Sequence, residues 1–306
     1  MDFGLNFNLL VILGPTASGK TKVGVEVARA LEGEIISADS RQVYRGMDIG
    51  TGKDLGEYGS IPYHLIDLVD PGYEFNVFEF QRRFVEAFTG IQARGRLPIV
   101  VGGTGMYLDA VLQGYRFLEV PENPRLRQEL AALSLENLAN RLKGANPKLH
   151  NTTDLLDRER LMRAIEIAEF RGGRNNPLKP FPEMSPIVFG IRFERTILRQ
   201  RITQRLRERM NRGMIAEVEE LLKKGVAFQT LEFYGLEYRF VAKFLKGELN
   251  KNDMFQKLNS AIHQFAKRQE TWFRRMERQG ISIHWVDGHR DPVATILQKI
   301  KSWQPD

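Results

Sequence analysis

Eight consecutive residues near the amino terminus, Gly14, Pro15, Thr16, Ala17, Ser18, Gly19, Lys20 and Thr21, fit the pattern G-x-x-x-x-G-K-[ST]. Glycines let the main chain curl so that successive N–H groups aim at one point, where phosphate oxygens bind. A helix beginning there adds its positive end. Lys20 supplies a point charge to the terminal phosphate, and the Thr21 hydroxyl is placed to help hold Mg²⁺. The pattern specifies a phosphate chain, not a nucleotide, and a glycine turn that merely joins strand to helix is the bland alternative. A second polar stretch, Asp39, Ser40, Arg41 and Gln42, follows the apolar run 34–37. A carboxylate at the end of a strand beside a phosphate loop lies in the crevice where open α/β sheets bind ligands. Asp39 is then within reach of a reacting group, or else it is a turn or cap carboxylate. A third segment, Gly102-Gly103-Thr104, closes the apolar run 98–101. Thr104 either faces a ligand or N-caps a helix starting near Met106.

These residues need a scaffold that holds loop ends side by side. The first third of the chain alternates short apolar runs with helical patterns, the signature of a parallel sheet covered by crossover helices. Strands are expected at 8–13, 34–37, 63–68, 98–101 and 187–193, and a last one at 281–286. Apolar residues at three- and four-residue spacing predict helices over 21–31, 77–94 and 106–112. The fold class is therefore α/β, a P-loop NTPase-like parallel sheet flanked by helices. Between Gly114 and Pro186 strand signals vanish and prolines punctuate polar, helix-prone segments. This predicts a small helical insert at 117–185 within a catalytic core of 1–116 and 186–306. Long arginine-rich helical stretches follow at 196–224 and 251–278, with Gly213, Gly225 and Gly280 as stops.

At 306 residues the chain is longer than a typical single domain. It has 45 Lys and Arg against 38 Asp and Glu, a net charge of +7 whose field favours a polyanionic partner. Cysteine is absent, which excludes disulfides and thiolate zinc sites and agrees with a reducing cytoplasm. The apolar run 7–13 leads straight into the glycine-rich loop and reads as a buried strand rather than a signal peptide. No apolar run approaches the roughly 20 residues of a membrane span. A cytoplasmic protein without a membrane partner is expected.

Five segments together, GPTASGKT (14–21), SADSRQVYRGMDIGTGK (37–53), HLIDLVDP (64–71), PIVVGGTGMY (98–107) and AKRQETWFRR (266–275), resemble the tRNA dimethylallyltransferases, also called isopentenyl pyrophosphate transferases. The resemblance covers nearly the whole chain. It implies that the loop holds the pyrophosphate of dimethylallyl diphosphate and that Asp39 acts as general base on an adenine amino group. It implies further that Thr104 lies near the target nucleotide, that Arg205 reaches the diphosphate, and that Asp39–Gln42 face RNA. In the insert, Arg127 and the run Glu159, Arg160, Leu161, Met162 and Arg163 match positions that contact tRNA. The expected partners are dimethylallyl diphosphate, with Mg²⁺ as cofactor, and the anticodon stem-loop of a tRNA, whose adenosine 3′ of the anticodon accepts the prenyl group. The working unit is expected to be a monomer.

Eight arginines (192, 195, 199, 201, 205, 207, 209 and 212) and two glutamates (194 and 208) lie on a helical pattern whose apolar stripe is Ile202, Leu206 and Met210. As a group they suit RNA phosphates; singly, each could be a solvated surface charge. Lys267, Arg268, Arg274 and Arg275 alternate with Phe265, Trp272 and Phe273, which reads either as a stacking surface for bases or as core aromatics with outward charges. The sequence departs from the family's pattern at Asp154-Leu155-Leu156-Asp157, where His-Pro-Asn-Asp is usual. It departs again at 233–238, where an Ile-Gly-Tyr pattern is common, and at Gly52-Lys53 in place of Ala-Lys. A prenyltransferase acting on free adenine nucleotides would share the loop and Asp39, but the insert and arginine helices would be excess for a mononucleotide. A small-molecule kinase would need an acidic Mg²⁺ ligand where strand 98–101 ends in Gly-Gly-Thr. A P-loop RNA-binding protein without catalysis would have no use for Lys20, Thr21 and Asp39 together.

Overall fold

The computed structural model describes residues 6–114, 120–145, 157–170 and 181–303. In chain order the elements are β1 (Leu9–Leu13), α1 (Lys20–Ala30), β2 (Gly33–Ala38), β3 (Tyr63–His64), α2 (Val77–Ala93), β4 (Leu97–Gly102) and α3 (Gly105–Leu112). Next come α4 (Pro124–Ala131), α5 (Leu135–Ala145) and α6 (Arg158–Glu169). The chain continues through β5 (Pro186–Arg192), α7 (Arg195–Asn211), α8 (Met214–Lys223), α9 (Phe228–Phe233), α10 (Leu236–Leu245), α11 (Lys251–Arg278), β6 (Ile283–Asp287) and α12 (Pro292–Lys301). Two compact units result, Met1–Gly114 with Pro182–Asp306, and Tyr115–Phe181. Among the described residues no helix is long and apolar enough to cross a membrane.

In the larger unit a six-stranded sheet runs β3-β2-β4-β1-β5-β6, and every pairing is parallel. The sequence LLVIL of β1 is buried along its whole length, as are β2 and β4, because helices cover both faces of a parallel sheet. On one face Leu10, Ile12, Ile35, Ile99 and Val101 pack with Val27 and Ala28 of α1 and with Ile296 and Ile300 of α12. Phe80, Phe84 and Phe88 of α2 are fully buried, and Phe80 stacks on Tyr107 of α3 with ring centroids 4.0 Å apart. Each such side chain contributes roughly 1.5–3 kcal/mol of burial.

One expectation needs correction. The strand predicted over 63–68 stops at His64, because Leu65 and Asp67 both adopt the left-handed conformation (φ 65° and 53°) and turn the chain out of the ladder. The Asp67 carboxylate is thereby brought onto the fully buried Lys53 ammonium, which also bonds Asp48 at 2.6 Å. The arginine-rich helical stretch over 196–224 breaks at its expected stop, Gly213 (φ 98°), into α7 and α8. That left-handed residue ends α7 and redirects α8 at little steric cost.

The smaller unit packs α4, α5 and α6 around Leu130, Leu138, Leu142, Leu161, Met162 and Ile165. Glu166, almost completely buried, accepts both Nε and Nη2 of Arg127 (3.0 and 3.1 Å), Nη1 of Arg163 (3.0 Å) and the Asn123 main-chain N–H (2.9 Å). Burial would raise its pKa, but the two arginines and the Asn123 amide prevail and hold it below the ordinary glutamate value.

Candidate active site

The site begins in the register of three adjacent strands. Leu13 at the end of β1 and Ala38 at the end of β2 are both paired with Gly102 at the end of β4. Gly14, Asp39 and Gly103 therefore leave the sheet side by side, on strands spaced about 4.8 Å apart. A Cβ at Gly102 would stand 2.3 Å from the Ala38 carbonyl oxygen, so only glycine permits this approach. A cavity of about 450 Å³ opens above these ends. Thr16, Lys20, Thr21, Asp39, Thr104 and Arg205 all line it.

Asp39 Oδ1 accepts the Arg41 main-chain N–H at 2.9 Å, so this carboxylate anchors a turn while also facing the cavity. Thr104 stands at the N-cap of α3 but makes no capping bond with its side chain. Its hydroxyl instead accepts the Ser40 N–H at 3.1 Å and ties the Asp39 turn to the Gly-Gly-Thr turn. Gln42 is buried, accepting the Ser37 hydroxyl (2.9 Å) and donating to Gly52 O (3.2 Å), so its amide braces the loop from within. Arg41 lies over the Phe233 ring, 5.5 Å from its centroid.

In the phosphate loop Ala17 (φ 63°) and Gly19 (φ 81°) take the left-handed turns that curl the chain. The Ser18 hydroxyl is buried without a hydrogen-bond partner. Lys20 contacts the Pro15 carbonyl at 3.5 Å and points into the cavity. Burial first, then the Arg205 charge, lower its pKa to about 8; Asp39 opposes and Arg209 adds to the shift. A cluster of cations around a curled loop calls for an anion with more than one negative charge.

Helix α7 leaves Arg195, Arg199, Arg201 and Arg207 exposed but turns Arg205 and Arg209 inward. Arg201 donates to Ala17 O at 2.9 Å and lies 4.4 Å from the Phe193 ring centroid. Arg205 and Arg212 both bond Asp54, at 3.0 and 2.7 Å. Arg209 takes a slot on the buried stripe with Leu198, Ile202 and Leu206, bonding Gly50 O (3.2 Å) and Glu237 (3.1 Å). Burial and the neighbouring Arg205 lower its pKa to about 10, and burial raises that of Glu237. Gly52 is the residue that admits this arrangement: a Cβ there would stand 1.7 Å from Arg209 Nη2.

Three supporting residues escaped the sequence reading. Glu217 of α8 accepts the main-chain N–H groups of Asp48, Ile49 and Gly50 (2.8, 2.6 and 3.0 Å) and the Tyr238 hydroxyl (2.7 Å), which fixes the loop beside the cavity. Glu237 enters from α10, an element not expected from the sequence. Gln269 reaches both the phosphate loop and the Gly-Gly-Thr turn from α11. Its sequence signals are its place in the AKRQETWFRR segment and a polar residue on the apolar stripe Ile262, Ala266, Phe273 and Met276.

The aromatics of α11 divide. Phe273 is core, whereas Phe265, 38% exposed, and Trp272 line the cavity with Arg268, so the reading of all three as core fails for these two. In the smaller unit Leu161 and Met162 are core residues with almost no exposed surface, which corrects the expectation that their side chains meet RNA. Arg127 and Arg163 converge on Glu166, and Arg163 also donates to Val120 O at 2.7 Å. Glu159 and Arg160 are exposed on the first turn of α6, with Arg160 3.7 Å from Asp157. Residues 154–156, part of the departure from the family's pattern, lie outside the described residues.

A parallel sheet with a phosphate loop after its first strand, a carboxylate after the second and a cationic cavity between defines a P-loop-type protein with a site for a phosphorylated ligand. The model of the IPP transferase family matches residues 42–276, and that of the isopentenyl transferases matches residues 7–58. The chain is 71% identical over 289 residues to tRNA dimethylallyltransferase 1 of Geotalea uraniireducens, covering 94% of this chain and 95% of the relative. It is 64% identical to tRNA dimethylallyltransferase 2 of Syntrophotalea carbinolica, over 96% of this chain and 99% of the relative. The crystal structure of the full-length tRNA isopentenylpyrophosphate transferase of Bacillus halodurans is similar, with a TM-score of 0.71 and 33% identity over 97% of this chain and 95% of that one. A eukaryotic dimethylallyltransferase shares the fold (TM-score 0.78, 24% identity, 97% and 80% coverage). The chain belongs to the tRNA dimethylallyltransferase family and is a prenyltransferase.

Proposed function

We propose that this enzyme transfers the dimethylallyl group of dimethylallyl diphosphate to the exocyclic amino group of the adenosine 3′ of the anticodon in tRNA, releasing diphosphate. The observation that carries this is the level register of β1, β4 and β2, which sets the Asp39 carboxylate beside the phosphate loop in one cavity. The loop N–H groups, the Ser18 hydroxyl, Lys20 and Arg205 hold the diphosphate, and Arg205 exchanges Asp54 for it. As the allylic C–O bond breaks, negative charge gathers on the departing diphosphate and these donors stabilise it. The adenine nitrogen, whose lone pair is delocalised into the ring, forms the new C–N bond while Asp39 takes its proton.

Among the described residues no three acidic or histidine side chains converge as a metal cage. The donor set suits Mg²⁺ carried on diphosphate oxygens, with the Thr21 hydroxyl as protein ligand. Such an ion would neutralise charge on the leaving group.

Ser40, Arg41, Gln42 and Thr104 border the nucleotide side of the cavity. In the smaller unit Arg127 and the Glu159–Arg163 segment act on the tRNA, through Glu159, Arg160 and the outer edges of Arg127 and Arg163. Phosphate contacts over a stem-loop and an extruded base account for the net positive charge and the insert. The enzyme works in the cytoplasm as a monomer. The test offers radiolabelled dimethylallyl diphosphate, Mg²⁺, an anticodon stem-loop and AMP together at equal concentration. Label on the RNA supports the proposal, and its loss in Asp39→Asn supports the base; label on AMP would make the protein a free-nucleotide prenyltransferase.

A further inference from the structure

Gln269 is a glutamine in the middle of the 28-residue helix α11, on the face that otherwise buries Leu258, Ile262, Ala266, Phe273 and Met276. A primary amide on an apolar stripe is costly to desolvate unless both ends are bonded. Here both are: Oε1 accepts the Thr16 N–H of the phosphate loop at 2.8 Å, and Nε2 donates to the Gly103 carbonyl at 2.8 Å. The side chain is 5% exposed and forms part of the cavity wall. Gly103 leaves it room, since a Cβ there would stand 2.4 Å from Nε2 and 3.0 Å from Gly14 O. One turn further along α11, Trp272 closes over Gly105, where a Cβ would stand 2.5 Å from the indole. The helix thus grips the Gly-Gly-Thr-Gly turn at two points, and one of them also holds the phosphate loop.

We propose that Gln269 is a positioning residue for the transfer, a tie of fixed length between the loop that holds the donor and the turn that faces the acceptor. The proposal rests on the reading of the site given above. Phosphate loop and Gly-Gly-Thr turn leave different strands, and main-chain pairing between those strands ends at Leu13 and Gly102. Beyond that point the amide of Gln269 bonds directly to both segments. On that reading donor affinity comes mainly from Lys20, Arg205 and the loop amides other than that of Thr16, none of which Gln269 touches. Its loss therefore leaves the diphosphate bound but lets the allylic carbon and the adenine nitrogen drift out of attack geometry. Water then competes: the C–O bond of the donor breaks, a water oxygen bonds the allylic carbon and loses its proton, and dimethylallyl alcohol and diphosphate leave.

Gln269→Met keeps the shape and removes both bonds; Gln269→Glu keeps an acceptor for Thr16 but no donor for Gly103. Each would be compared with wild type for donor KM, kcat, the ratio of prenylated RNA to dimethylallyl alcohol, and hydrogen exchange at the Thr16 amide. For Gln269→Met the expected result is a donor KM within about threefold of wild type, kcat lower by about tenfold or more, a rising share of alcohol and faster Thr16 exchange. Gln269→Glu should lose kcat and gain alcohol while Thr16 stays protected. Unchanged kcat and product ratio with only a lower melting temperature, or a donor KM that rises while kcat holds, would overturn the proposal. If wild type labels no RNA, the functional reading fails instead, and Thr16 exchange and donor cleavage in water still decide the role of Gln269.

Discussion

Lys20 titrates within reach of ordinary assays. It is half-buried in the cavity wall, and burial and the Arg205 charge lower its pKa from 10.5 to about 8. Diphosphate binds the charged form, so binding must take up a proton wherever the free enzyme has lost it. Below pH 8 the ammonium is already present and donor KM should be flat. Above pH 8 the affinity present at lower pH is lost by about tenfold per unit, until the pH reaches the raised pKa of the complex. Between pH 7 and 9.5 donor KM should therefore rise by about 30-fold. In Lys20→Arg the guanidinium stays charged throughout, so the profile should be flat, at a KM higher overall because a planar fork does not replace a compact point charge. The assay is donor KM from labelled transfer at constant ionic strength with saturating RNA and Mg²⁺. A flat wild-type profile, or the same slope in Lys20→Arg, would refute the assignment of Lys20 to the diphosphate.

Three further outcomes are expected. Asp54→Asn releases Arg205 and Arg212 from their shared counter-ion, so pyrophosphate inhibition should tighten by about fivefold, equivalent to about 1 kcal/mol for a half-exposed pair; weaker inhibition would mean that Asp54 orients Arg205 instead of competing for it. Glu217→Gln weakens four hydrogen bonds to the 48–50 loop and Tyr238, and urea unfolding should show a loss of about 2–4 kcal/mol, with donor KM raised because the loop borders the cavity. Glu166→Ala leaves Arg127 and Arg163 without their buried partner, at a cost of about 3–5 kcal/mol, and limited proteolysis should then cut the 115–181 unit first.

Much of the protein is legible from local sequence because the physics there is local. The run LLVIL followed by GPTASGKT makes strand, phosphate loop and helix within a few residues, and α11 was read at 251–278, its observed limits. Family membership was legible for the same reason, since its motifs are short and contiguous. What the sequence could not reveal is which residues far apart in the chain complete the site. Helical spacing puts Arg209, unlike the exposed Arg207, in line with Leu198, Ile202 and Leu206, but that an arginine is buried there against Gly50 and Glu237 is decided by the packing of α10 and the 48–52 loop around α7. Asp54 and Glu217 carry no local signature because their partners lie 151 and 169 residues away, and the motif that contains Gln269 does not say which segments, 253 and 166 residues away, that amide will bond. The sequence by itself determined the sheet, the phosphate loop, the place of the Asp39 carboxylate at a strand end and the family. Tertiary structure alone decided how those strand ends align and which charges are turned inward to line the cavity, because register and desolvation are properties of the packed chain and not of any segment of it.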